Sequence, residues 1–252
     1  MSAAAELAGL IRAADSVVAL TGAGISVPSG IPDFRSPGTG LWANVDPMEV
    51  AHISVWRRDP GTFWGFYGQR FAILDGKRPN GAHHALAEIE RRGALDAVIT
   101  QNIDGLHAAA GSEPIEVHGS IATASCLACG ASYPLAETKR RLEADPEGVP
   151  RCDCGAVLKP DVVLFGELLP EAEIQRGYAL AARADLLLCV GSSLEVWPVA
   201  ELPQVTLDAG GAVAIVTMGE TPYDHRAAVK LSGDVVAELE GLVAALDRLP
   251  GG

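Results

Sequence analysis

Four of the five cysteines fall into two close pairs, Cys126-Leu127-Ala128-Cys129 and Cys152-Asp153-Cys154, with 22 residues between them. Two local pairs of thiolates are what a tetrahedral structural zinc ion requires. The second pair is one residue shorter than the usual spacing. This leaves open a module that holds its metal weakly or has lost it. A disulfide framework does not suit the cytosol, the compartment expected here. Cys189, within Leu186-Leu187-Leu188-Cys189-Val190, reads as a small buried strand residue.

A second chemistry is suggested by Thr21-Gly22-Ala23-Gly24, which follows the apolar run Val17–Leu20. A strand ending in Gly-Ala-Gly can bring backbone N–H groups against a phosphate, because neither glycine carries a side chain to block it. The loop continues into Ile31-Pro32-Asp33-Phe34-Arg35, an unusual mixture of apolar, acidic, aromatic and cationic groups. Gln101-Asn102-Ile103-Asp104 follows another short apolar strand, and His118 lies in Val117-His118-Gly119-Ser120. Taken singly, His118 reads as a buried histidine, Asn102 and Asp104 as caps of the next helix, and Arg35 as a surface charge. A dehydrogenase would need Gly-x-Gly-x-x-Gly with an acidic residue about 20 positions on. Here the third glycine is absent.

Helices are expected over 4–14, 63–74, 82–92, 171–183 and 234–247, with a helix or loop over 198–210. Strands are expected over 16–21, 97–100, 162–165, 185–190 and 212–217. Residues 32–62 read as a long irregular loop with short helical pieces. Strands alternating with helices argue for an α/β fold with a parallel sheet covered by helices on both faces. Residues 120–158 change character and form the best candidate for an inserted small module. The catalytic unit would then comprise 1–119 and 159–252, with part of 32–80 packing as the helical part of the small unit. A net charge of −13 argues against a nucleic-acid partner. Apolar runs are too short to span a bilayer, so no membrane association is expected.

Taken together and in this order, these segments resemble the sirtuins, the NAD-dependent protein-lysine deacylases. Gly191-Ser192-Ser193-Leu194 and Lys159-Pro160-Asp161-Val162-Val163-Leu164-Phe165-Gly166-Glu167 complete the pattern, which runs from about residue 8 to 240. The resemblance implies a Rossmann-like sheet with a small zinc-binding module and one structural zinc held by Cys126, Cys129, Cys152 and Cys154. It implies acyl transfer from lysine to the ribose of NAD, with loss of nicotinamide. His118 would act as general base toward a ribose hydroxyl, and Asn102 would orient the ribose and its water.

By the same resemblance Gly22, Ala23, Gly24, Gly191, Ser192 and Ser193 would surround the phosphates and ribose, with Ser26 and Ile31 in the same cofactor set. Gln101 would contact the nicotinamide-side ribose, while Ile103 and Asp104 would hold the carboxamide. Asp33, Phe34 and Arg35 would lie on the loop that shields the reactive centre. Thr217 stands where the family usually has Asn against the adenine-side ribose, and Asp234 and Val235 would close over the adenine. Val163 would receive the substrate-lysine amide. Phe165, Gly166, Glu167 and Val196 would flank an extended peptide read through its main chain.

Tyr67-x-x-Arg70 matches a pair that in some sirtuins binds the carboxylate of succinyl or malonyl groups. On a helix the two share a face, and Arg offers a forked donor to a carboxylate. The plain alternative is a helix carrying Tyr and Arg for packing and solubility. His52, His84 and His225 match nothing catalytic, and His83 and His107 are expected to support packing. The partners expected are acylated-lysine proteins, and the chain is expected to act as a cytoplasmic monomer. A mono-ADP-ribosyltransferase, which cleaves the same cofactor toward another acceptor, is the alternative activity.

Overall fold

A computed structural model of the chain describes residues 2–33, 45–74 and 76–248. Phe34 and Arg35 lie outside the described residues. Three strands buried along their whole length set the frame: β1 (Val17–Thr21), β2 (Ala97–Thr100) and β7 (Leu186–Val190). With β3 (Ile115–Glu116), β8 (Ala212–Val216) and β9 (Val229–Leu231) they form a six-stranded parallel sheet in the order β3-β2-β1-β7-β8-β9. Alternate residues of β1 serve opposite cores. Val17 and Ala19 pack under α1 (Ala3–Ala13), α5 (Gly81–Arg91) and α10 (Val235–Arg248). Val18 and Leu20 pack with residues of α8 (Glu171–Ala181) and α9 (Leu202–Asp208). The order reverses beside β1, so a crevice opens at the carboxyl ends of β1, β2 and β7, where open α/β sheets bind ligands.

A second sheet is antiparallel and three-stranded, in the order β5-β4-β6, from β4 (Gly119–Cys126), β5 (Ser132–Pro134) and β6 (Leu158–Val162). The strand expected over 162–165 therefore lies earlier and belongs to this sheet. Pro160 is tolerated there because β6 is an edge strand, where a missing N–H costs no ladder bond. Residues 45–62, expected as irregular with short helical pieces, contain the short helices α2 (Pro47–Val50) and α3 (Ile53–Arg58), and α4 (Pro60–Leu74) begins three residues earlier than expected. Phe63, Trp64, Tyr67 and Phe71 of α4 form an aromatic core against β4 and β6. Trp56 and Trp64 both donate their indole N–H to the Leu158 carbonyl at 3.0 Å, using both lone pairs of one oxygen. Two small helices complete the path, α6 (Leu106–Ala110) and α7 (Leu135–Ala144). No described helix is long and apolar enough to cross a membrane.

Candidate active site and four-cysteine centre

The loop after β1 is a 3₁₀ turn, Ala23–Ser29, pressed against the end of β7. Gly22 N–H donates to Val190 O at 3.0 Å and Gly24 N–H to Gly191 O at 2.8 Å. A Cβ on Gly24 would stand 2.7 Å from Gly191 O, and one on Gly22 would stand 2.9 Å from Ser192 Cβ. Bare glycines at this turn would be expected to open their N–H groups to a phosphate. In the structure they let two loops approach each other, and both N–H groups are already used. Gly191 itself has φ +61 and faces Gly24 and Ile25 across the same contact.

Behind this turn lies a buried polar cluster whose bond directions can be worked out. Asn102 spends both amide hydrogens inward, on Gly22 O at 3.1 Å and Ser26 Oγ at 3.2 Å. Its Oδ1 is thereby left as the acceptor available to a ligand. Ser26 donates its single proton to Asp104 Oδ2 at 2.7 Å, so it can only accept from its other neighbours. One of these is His83, whose Nε2 lies 3.4 Å from Ser26 Oγ while its Nδ1 accepts from Asn80 N–H. His83 is therefore the Nε2–H tautomer. Asp104 also accepts from Leu106 N–H through Oδ1, so it caps α6 while facing the site. Thr21 and Thr100 hydroxyls join at 2.8 Å, and His107 Nε2 lies 2.9 Å from Thr21 Oγ1. Burial holds His83 down to about 4 and His107 down to about 3, so both rings are neutral at pH 7.

His118 lies where the two sheets meet. Its Nδ1 is 3.0 Å from the Gln101 carbonyl, which can only accept, so Nδ1 carries the proton and Nε2 the lone pair. Burial lowers its pKa, partly offset by that hydrogen bond. The His118 carbonyl accepts from Val163 N–H at 2.9 Å. Gln101 Nε2 donates to Ser192 Oγ at 3.0 Å, which links the β2 end to the β7 end.

Ala23, Ser26, Ile31, Arg70, Asn102, Ile103 and Asp104 line one pocket together with Pro32 and Leu74. Seven sequence-derived candidates thus converge in one place. Leu74, one helical turn beyond Arg70 on the same face of α4, could have been found from that spacing. The roles of His83 and Lys159 also escaped the sequence reading. His83 was expected only to pack, yet a histidine on the apolar face of an amphipathic helix needs a polar partner, here Ser26. Lys159 donates to the carbonyls of Pro160 and Val162 and pairs with Glu167 at 2.9 Å. Glu167 also accepts from Leu164 N–H, so its side chain is folded inward beneath the Phe165–Leu168 turn. Phe165, Gly166 and Leu168 stay exposed, as does Trp197, while Val196 and Ser193 are half-buried.

Other candidates lie apart from this pocket. Val235, the first residue of α10, is buried in the core, and Asp234 caps α10 by accepting from Val236 and Ala237 N–H at 3.0 Å each. Thr217 follows the end of β8 and donates its N–H to Leu231 O. Asp33 is half-buried at the edge of the described segment. Tyr67 stacks on Phe63 at 4.5 Å, and burial pushes its phenol up to about 12, so it remains a donor.

The four Sγ atoms of Cys126, Cys129, Cys152 and Cys154 all lie within 4.8 Å of one another. Cys129 and Cys152 sulfurs lie 3.5 Å apart, and those of Cys126 and Cys154 lie 3.6 Å apart. A tetrahedral zinc with bonds of about 2.3 Å needs sulfurs about 3.8 Å apart. The donor set and its spacing fit one zinc ion. Each knuckle closes on a left-handed glycine, Gly130 at φ 76 and Gly155 at φ 87.

A sequence profile of the Sir2 family matches residues 22–198. The chain belongs to the Sir2 family. The NAD-dependent protein deacetylase of Sulfolobus acidocaldarius is 46% identical over 225 residues, covering 89% of this Sir2 chain and 87% of the relative. The NAD-dependent protein deacylase of Thermococcus sibiricus is 42% identical over 92% of each chain. Among solved structures, a Sir2 complex with a deacetylated p53 peptide and 3'-O-acetyl ADP ribose superposes with TM-score 0.91. It is 39% identical, covering 95% of this chain and 96% of that one. Sir2Tm bound to a propionylated peptide gives TM-score 0.86 at 39% identity with the same coverage.

Proposed function

We propose that this chain is an NAD-dependent protein-lysine deacylase that removes acetyl groups and also acidic acyl groups such as succinyl and malonyl. One observation carries the reading: Arg70 shares a pocket with Asn102, Ile103 and Asp104. Relatives named as NAD-dependent deacetylases and deacylases support the reaction class. NAD, when bound, supplies an activated ribose that accepts the acyl group as nicotinamide departs.

His118 presents the Nε2 lone pair as the proton acceptor for a ribose hydroxyl, while the Gln101 carbonyl fixes its tautomer. Asn102 offers Oδ1 to a ribose hydroxyl or water, since its amide hydrogens are committed elsewhere. Asp104, Ile103, Ser26 and Ile31 line the carboxamide end. Ala23, Ser192 and Ser193 lie toward the phosphates, where Gly22, Gly24 and Gly191 shape the turn. Asp33 borders the cofactor, while Thr217, Asp234 and Val235 belong to its adenine side. Val163 receives the acyl-lysine amide, and the segments at Phe165, Gly166, Glu167 and Val196 receive the peptide backbone.

Burial lowers the Arg70 pKa, an effect Tyr67 opposes. A carboxylate brought into that pocket would meet the forked Arg70 guanidinium, while Tyr67 sits three residues earlier on α4, behind the pocket lining. One zinc on the four cysteines would hold residues 120–158 together without entering the reaction. The protein is read as a cytoplasmic monomer acting on acylated-lysine proteins.

Purified protein, labelled NAD and matched acetyl-, succinyl- and unmodified lysine peptides, read by mass spectrometry, test this. Nicotinamide and O-acyl-ADP-ribose formed only with acylated peptide are expected. Label left on protein would favour ADP-ribosyl transfer instead.

A further inference from the structure

The short Cys152-Asp153-Cys154 knuckle has one residue between its sulfurs where Cys126-Leu127-Ala128-Cys129 has two. Within this short knuckle the Cys152 sulfur accepts the backbone N–H of Cys154. Its single intervening N–H, that of Asp153, does not go directly to sulfur. It donates to Tyr133 Oη at 3.3 Å. Tyr133 Oη in turn lies 3.3 Å from Cys152 Sγ. A metal-bound thiolate carries no proton and can only accept, so the phenol proton points at the sulfur.

The phenol is held in turn by α7. The Arg141 guanidinium lies 4.2 Å over the Tyr133 ring, pairs with Asp153 Oδ1 at 2.8 Å and donates to Arg151 O at 2.8 Å. Its Nε meets Glu137 at 2.7 Å, which fixes the side chain. One arginine therefore grips both the phenol and the residue between the two cysteines.

We propose that Tyr133 is an outer-shell residue of the zinc centre. It relays the Asp153 N–H to the Cys152 sulfur, and Arg141 clamps it, so that the shortened pair retains its metal. The proposal rests on the zinc reading. Outer-shell partners of metal ligands are typically worth about 10–100-fold in affinity. Arg141 also orders the ring, but only the hydroxyl touches sulfur.

The test is zinc transfer from the intact protein to a chromophoric chelator, with metal content measured first. Tyr133→Phe keeps the ring and the Arg141 contact and removes only the hydroxyl. It is expected to start with about one zinc per chain and to release it roughly 10-fold faster or more than the native protein. Cobalt-loaded Tyr133→Phe is expected to show a shifted thiolate-to-metal charge-transfer band, which loss of packing alone would not produce. Arg141→Met is expected to accelerate release less. Native protein that binds zinc, with Tyr133→Phe matching it in release rate and cobalt spectrum, would overturn the proposal and leave the zinc reading standing. Native protein that binds no zinc would overturn both.

Discussion

The carboxyl ends of β1, β2 and β7 and the four-cysteine module solve the same problem, holding polar groups in fixed directions, by different means. At the strand ends the fold does it alone. β1, β2 and β7 are buried along their whole length, and Thr21, Thr100, Asn102, Ser26, His83 and Asp104 satisfy one another. In the module a three-stranded sheet leans on the aromatic residues of α4, and four thiolates converge where metal would stand. Structural zinc contributes about 10–16 kcal/mol to small domains, as much as the whole net stability of a typical protein, about 5–15 kcal/mol. The strand ends should therefore survive metal loss, and the module should not. His118 sits on the boundary, its ring bonded to the β2 end and its carbonyl to Val163 beside β6.

The largest break in this comparison would come from removing zinc. Verified chelation is expected to abolish peptide turnover, because β4 and β6 hold His118 and Val163 in place, while the parallel sheet stays folded by circular dichroism. Full activity of metal-free protein would erase the contrast. Next in size, His118→Ala is expected to cut kcat by about 10²–10⁴-fold with the melting temperature nearly unchanged. A large drop in melting temperature would mean that this ring stabilises the junction more than it serves the chemistry.

Arg70→Met sharpens the comparison at the acyl end. Desuccinylation should fall at least about 10-fold more than deacetylation, from the loss of a charge-assisted contact worth about 1.5–3 kcal/mol. Equal losses on both peptides would reduce Arg70 to a packing residue. The smallest effect concerns pH. His83 and His107 stay unprotonated when folded, at about 4 and about 3, whereas unfolded imidazoles take up protons near 6.5. The unfolded state binds more protons below about 6.5, so stability should decline as pH falls from there toward 4. Denaturant titrations at pH 7.5 and 5.0 check this, and His107→Gln should flatten the difference. For the reaction itself, the lowered His118 pKa places the acid limb of kcat/KM below the pH of a free imidazole.

Much of this was legible in the sequence because its signals are local. Strand runs such as Val17–Leu20 and Leu186–Val190, the paired cysteines, and Asn102 just past a strand end each declare themselves within a few residues. What stayed hidden depends on approach between distant segments. Nothing local reveals that Gly22 and Gly24 serve the Gly191 contact, since that needs the β1–β7 pairing. The strand misplaced to 162–165 is apolar like a parallel strand, yet Leu158–Val162 pairs because β4 lies beside it. His83 looked like packing because its partner Ser26 is 57 positions away. Asp104 accepts from Leu106 N–H at the start of α6 and also lines the pocket, a pairing that only the fold reveals.

Hydrogen exchange on zinc-loaded and zinc-stripped protein, followed peptide by peptide, tests the contrast most directly. Rapid exchange after stripping over 119–162, with β1, β2 and β7 still protected, is the expected result. Protection retained in the module, or lost evenly across both sheets, would contradict the view that one region is held by metal and the other by its own hydrogen bonds.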